Sequence, residues 1–164
     1  MIMKALILYF SLSGRTKTVA ESIAAQLGKF SVDLESITYT GKPRDFIIAD
    51  NESIHSGKWD SLRANEKIFD VSGYDIICIG MPVYGGQPAV VFHAYIKKCT
   101  GISGKKVYLF TTCRLFAGKT MTIMREEVEK LGGIIPDTLV CKAMFRIGKK
   151  LPVVFGQKIN STVN

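Results

Sequence analysis

Residues 2–16 read IMKALILYFSLSGRT. Ile2–Phe10 is apolar but for Lys4 and rich in β-branched and aromatic residues, so it predicts a strand buried on both faces. It runs directly into Ser11-Leu12-Ser13-Gly14-Arg15-Thr16, a loop of hydroxyls and glycine. Beyond it, Val19, Ile23 and Leu27 recur at i+4, and Gly28 stands where a helix would end. A buried strand, a polar loop and an amphipathic helix are the opening of a parallel α/β sheet.

That unit repeats along the chain. Apolar runs at Ser31–Thr38, Asp75–Gly80, Lys106–Thr112 and Thr138–Phe145 predict four more strands. Between them, Pro88 opens a helix carrying Phe92, Ile96 and Cys99 on one face. Met121, Met124, Val128 and Leu131 form the stripe of another, closed by Gly132-Gly133. Phe155, Ile159 and Val163 predict a short final helix. Gly41–Ser72 is the least regular stretch, with a helix expected near 44–53. Right-handed crossovers then give a doubly wound five-stranded parallel sheet in one domain over residues 1–164.

Composition excludes several classes. Hydrophobic residues are 47% and charged residues 22%, which rules out disorder and collagen-like repeats. No apolar run reaches the ~18–20 residues of a membrane span. Met1–Phe10 lacks a signal-peptide cleavage pattern, so a cytoplasmic protein without stable membrane insertion is expected. Cysteines at 78, 99, 113 and 141 make no C-x-x-C, and the only histidines are His55 and His93. Neither a metal site nor a disulfide framework follows; Cys78 and Cys141 read as buried thiols. The net charge of +8 lies wholly in residues 71–164, with 13 basic and five acidic residues, while residues 1–70 balance nine against nine. No basic run is interleaved with aromatics, so nucleic acid is not the expected partner.

In an open parallel sheet, ligands bind beyond the carboxyl ends of the strands where the order reverses. The loops after the first, third and fourth strands are therefore the candidates. Ser11, Ser13 and Thr16 with Gly14 at a helix N-terminus suit a phosphate monoester, since hydroxyls and unpaired N–H groups both donate. The same residues could instead cap the helix, a role needing one hydroxyl. G-x-G-x-x-G is absent. Gly80-Met81-Pro82-Val83-Tyr84-Gly85-Gly86-Gln87-Pro88 is a stiff loop that holds an aromatic at its centre, suited to stacking on a flat heterocycle. Thr111-Thr112-Cys113-Arg114-Leu115-Phe116-Ala117-Gly118-Lys119-Thr120 ends like a Walker A motif, but its first glycine would fall on Cys113.

These residues carry a family resemblance. Ser-Leu-Ser-Gly-Arg-Thr resembles the flavodoxin phosphate loop: a hydroxyl residue, any residue, a hydroxyl residue, Gly, any residue, Thr. Tyr-Asp-Ile-Ile-Cys-Ile-Gly-Met-Pro-Val-Tyr-Gly-Gly at 74–86 is similar to that family's third strand and flavin loop, with Tyr84 at the position of the aromatic that covers the isoalloxazine. The resemblance implies an FMN-binding fold of strand order 2-1-3-4-5. FMN phosphate would sit on Ser11, Leu12, Ser13, Gly14, Arg15 and Thr16. The ring would lie between Met81, Pro82, Val83, Tyr84, Gly85 and Gly86 and the loop carrying Thr112, Cys113, Arg114, Phe116 and Gly118. Gly85 or Gly86 would permit a peptide flip towards the reduced ring. Carrier flavodoxins have an acidic third loop with a stacking tyrosine. Here Arg114, Phe116 and Lys119 stand instead, and Phe116 either replaces the tyrosine or leaves the second ring face open. The implied role is electron transfer between redox partners, with a basic rim fitted to an acidic, ferredoxin-like protein and no catalytic residue. The alternative is an FMN oxidoreductase such as a quinone reductase or a flavodoxin-type protoporphyrinogen oxidase. The oligomeric state is not readable from the sequence.

Overall fold

The computed structural model describes residues 1–163; Asn164, the last residue of the domain expected over 1–164, lies outside the described residues. The chain runs β1 (Met3–Phe10), α1 (Arg15–Ala24), β2 (Phe30–Tyr39), α2 (Pro43–Ile48), α3 (Asn51–His55), β3 (Leu62–Arg63) and a 3-10 turn at Glu66–Ile68. It continues with β4 (Ile76–Tyr84), β5 (Gln87–Pro88), α4 (Val91–Lys98), β6 (Lys106–Cys113), α5 (Thr120–Lys130), β7 (Thr138–Lys142) and α6 (Lys150–Ser161).

Five parallel strands form the sheet in the order β2-β1-β4-β6-β7, which is the 2-1-3-4-5 order expected. Two short antiparallel pieces are additions: β3 on the β2 edge and β5 on β4. Successive residues of a strand face opposite layers. In β1, Leu6, Leu8 and Phe10 join the core under α2–α5, whereas Ala5 and Ile7 join the core under α1 and α6. Both layers exclude water, so the central strands β1, β4 and β6 are almost wholly buried and mostly apolar. Each fully buried Leu or Ile contributes about 1.5–3 kcal/mol.

Six boundaries differ from expectation. The third strand continues past Gly80 to Tyr84 because the chain turns back there as a hairpin. Pro88 belongs to that hairpin, and α4 begins at Val91. The helix expected near 44–53 is two short helices, each burying one residue, Phe46 or Ile54. The fifth strand stops at Lys142, and Phe145 is exposed. α1 ends at Ala24, before Gly28, and Leu131 follows α5 and lies exposed rather than in its stripe. Among the described residues no helix is long and apolar enough to cross a membrane.

Candidate functional site

The carboxyl ends of β1, β4 and β6 converge on a cavity of about 600 Å³. The loop after β1 supplies backbone donors. Ser11 Oγ accepts from the Gly14 N–H at 2.9 Å, which folds the turn. Gly14, at φ 88°, takes the left-handed conformation that glycine tolerates and caps α1. The first helical bond runs from the Thr18 N–H to the Gly14 carbonyl. The N–H groups of Arg15, Thr16 and Lys17 therefore have no acceptor among the described residues, as the first turn of a helix requires. No carboxylate lies in that turn to occupy them. Three free donors at the positive end of a ten-residue helix favour an anion.

The side chains of this loop divide their roles. Ser13 is exposed and lines the cavity. Leu12 packs on the core instead. Thr16 is fully buried, and its hydroxyl meets that of Thr112 at 2.8 Å, joining α1 to β6. Arg15 sends its guanidinium away from the loop, donating to the carbonyls of Ala143, Met144 and Phe145 at 2.9, 2.8 and 3.2 Å. That tie draws the chain after Lys142 back to the loop after β1, which is why the apolar run to Phe145 does not continue as strand.

The second wall is the β4–β5 hairpin. Val83 pairs with Pro88 and Tyr84 with Gln87, leaving Gly85 and Gly86 as a two-residue turn. Their φ values of 60° and 73° are those of a type I′ turn, which glycine adopts without a Cβ clash. Tyr84 is held edge-on by Phe46 of α2 at 6.0 Å, and Phe46 stacks on Phe10 at 5.0 Å. Burial pushes the Tyr84 phenol up to about 12, so it stays neutral. Pro82 and Val83 line the cavity beside it, while Met81 is wholly in the core.

The third wall follows β6. Thr112 and Cys113 are buried at the cavity floor, and Arg114, Leu115 and Phe116 are exposed at its mouth. Burial pushes the Cys113 thiol up, outweighing the opposing effect of Lys142, so it stays protonated. The Lys119 N–H donates to the Gly86 carbonyl at 2.8 Å, locking this loop to the hairpin. Gly118 makes that approach: a Cβ there would sit 2.5 Å from the Gly86 Cα. Phe116 is 80% exposed and has no ring partner among the described residues.

Of the residues singled out in the sequence, Ser13, Arg15, Pro82–Gly86, Thr112–Arg114 and Phe116 surround one cavity. Gly14 lines a neighbouring groove, while Ser11, Leu12, Thr16, Met81 and Gly118 are not among the lining residues of either. Ile47 and Leu115 line the cavity and were not anticipated. Ile47 is exposed beside the core residue Phe46, and an apolar residue out of phase with its helix was the available signal.

A flavodoxin family model matches residues 4–138. The chain belongs to the flavodoxin family. Solved structures agree on the fold. A flavoprotein from Lactobacillus acidophilus, solved in complex with FMN, is 22% identical, with a TM-score of 0.62 over 84% of this chain and 93% of that one. The two-electron reduced flavodoxin of Megasphaera elsdenii is 19% identical, with a TM-score of 0.60 over 96% and 98%. Oxidised flavodoxin 1 from Bacillus cereus is 18% identical, with a TM-score of 0.61 over 96% and 95%. A comparison with curated protein sequences finds no match.

Proposed function

We propose that this flavodoxin-family chain binds FMN and carries electrons between redox partners, docking an acidic protein at the flavin's edge. One observation carries the choice of carrier over acid–base enzyme. The cavity is lined by no Asp, Glu or His, and its ionisable groups are two arginines, a phenol near 12 and a thiol held up by burial. Burial moves the phenol and the thiol further from neutrality, where a general acid or base works best.

The residues fit the cofactor. The N–H groups of Arg15, Thr16 and Lys17 and the Ser13 hydroxyl would hold the phosphate. The ring would lie between Tyr84 and the Cys113–Phe116 loop. Bound FMN supplies reversible one- and two-electron chemistry. Around it the chain supplies positive charge: residues 76–125 and 138–164 contain no Asp or Glu. That surround favours the added negative charge of reduction, raising the potential relative to an acidic site. The four free, buried cysteines suit a reducing, cytoplasmic setting.

Stopped-flow reduction by an acidic ferredoxin tests the carrier reading. The rate should fall as salt shortens the Debye length from ~10 Å at 0.1 M to ~3 Å at 1 M. Lys119→Glu at the rim should slow it far more than Lys106→Glu at the opposite end of β6. A rate indifferent to both salt and rim charge, together with fast reduction by NAD(P)H, would favour the oxidoreductase alternative.

A further inference from the structure

Beside the flavin cavity lies a second hollow of about 590 Å³, lined by Arg15, Arg114, Leu115, Met144 and Phe145. Arg15, Arg114 and Leu115 line both, so the two adjoin. The far wall exists because Arg15 holds the carbonyls of residues 143–145. Leu115, Met144 and Phe145 are left 53%, 51% and 88% exposed. Large apolar side chains gathered at one open site mark a binding surface rather than ordinary solvated exterior.

The charges differ in their freedom. The Arg15 guanidinium is spent on backbone carbonyls. Arg114 has no hydrogen-bond or ion-pair partner among the described residues. Neither segment that frames the hollow, 112–119 or 142–151, contains a carboxylate. The volume falls within the roughly 300–1,000 Å³ of small-molecule sites. Three apolar walls and one unsatisfied guanidinium match a flat apolar body with a single planar anion, which arginine grips through two parallel N–H bonds. A lone acidic side chain of a docked protein would neutralise Arg114 but leave most of the hollow unfilled.

We propose that this hollow binds an aromatic carboxylic acid, its carboxylate on Arg114 and its ring against Leu115, Met144 and Phe145. The proposal rests on the FMN reading only for the ligand's place beside a redox centre; the five lining residues set its chemistry.

The test is equilibrium dialysis of 2-naphthoate and its neutral counterpart 2-naphthamide against the FMN-loaded protein. Naphthoate should bind about tenfold more tightly, the worth of a charge-assisted bond. Arg114→Gln should abolish that preference, whereas Lys106→Gln, which removes the same charge at the far end of the sheet, should keep it. Phe145→Ser should weaken both ligands alike. Equal affinity for the two probes, no binding of either, or equal losses in the Arg114 and Lys106 variants would overturn the proposal. Absent naphthoate binding with a slowed ferredoxin reaction in Arg114→Gln would also overturn it, assigning Arg114 to protein docking. Failure of the FMN reading shows separately in a flavin titration, and Phe145→Ser, at a residue that lines the hollow but not the flavin cavity, then reports on the hollow in the flavin-free protein.

Discussion

Thr16 and Thr112 form a buried pair whose removal separates a structural hydroxyl from a cofactor ligand. The two oxygens lie 2.8 Å apart, with 0% and 3% of their residues exposed. They join α1 to β6 across 96 positions of chain. Thr16→Val deletes one partner and leaves the Thr112 hydroxyl dry and unpaired, which costs about 1–3 kcal/mol. Thr112→Val should cost a similar amount for the mirror reason. The double variant replaces both hydroxyls by methyls of the same shape and should lie near the wild type, giving a coupling of about 2–6 kcal/mol, the sum of the two single losses. Urea unfolding of the FMN-free proteins measures this as shifted midpoints at constant slope. FMN affinity should hardly change in Thr16→Val, since that hydroxyl opens onto neither cavity. A loss of FMN affinity of about tenfold or more, with unchanged stability, would refute the structural role and put the hydroxyl on the phosphate.

Two further outcomes follow from single contacts. Tyr84→Ala should weaken FMN binding by about 1–3 kcal/mol, the worth of an aromatic stack, while Tyr84→Phe keeps it; a fluorescence titration of both variants checks this. Burial, reinforced by the His55 ring at 4.6 Å, holds His93 below its ordinary 6.5 in the folded chain. The unfolded chain then binds more protons below 6.5, so stability is lost as pH falls from there through the folded value. His93→Gln should flatten that limb in urea midpoints taken between about pH 5 and pH 7.5.

The central strands β1, β4 and β6 were legible because burial on both faces writes itself as long apolar runs, as at Ile2–Phe10 and Lys106–Thr112, whereas β2 and β7 at the sheet's sides alternate buried and more open positions. β3 and β5 have two residues each, too few for any period to show. The region of α2 and α3 gave little signal because each helix sends one residue to the core. The end of the fifth strand was hidden for another reason: Ala143–Phe145 reads as strand, but Arg15, 128 positions earlier, takes its carbonyls. The site was legible as three loops through glycine, hydroxyl and aromatic content. Which hydroxyls faced inward was not, because Thr16 and Thr112 meet only once the sheet has formed.

FMN titration of the flavin-free protein, read by quenching of flavin fluorescence with riboflavin in parallel, tests the central claim most directly. The free N–H groups of Arg15, Thr16 and Lys17 meet a phosphate that riboflavin lacks. Charge-assisted bonds of about 1.5–3 kcal/mol each then predict one FMN per chain, bound at least about tenfold more tightly than riboflavin. A chain that quenches neither flavin, or binds both with equal affinity, would contradict the account.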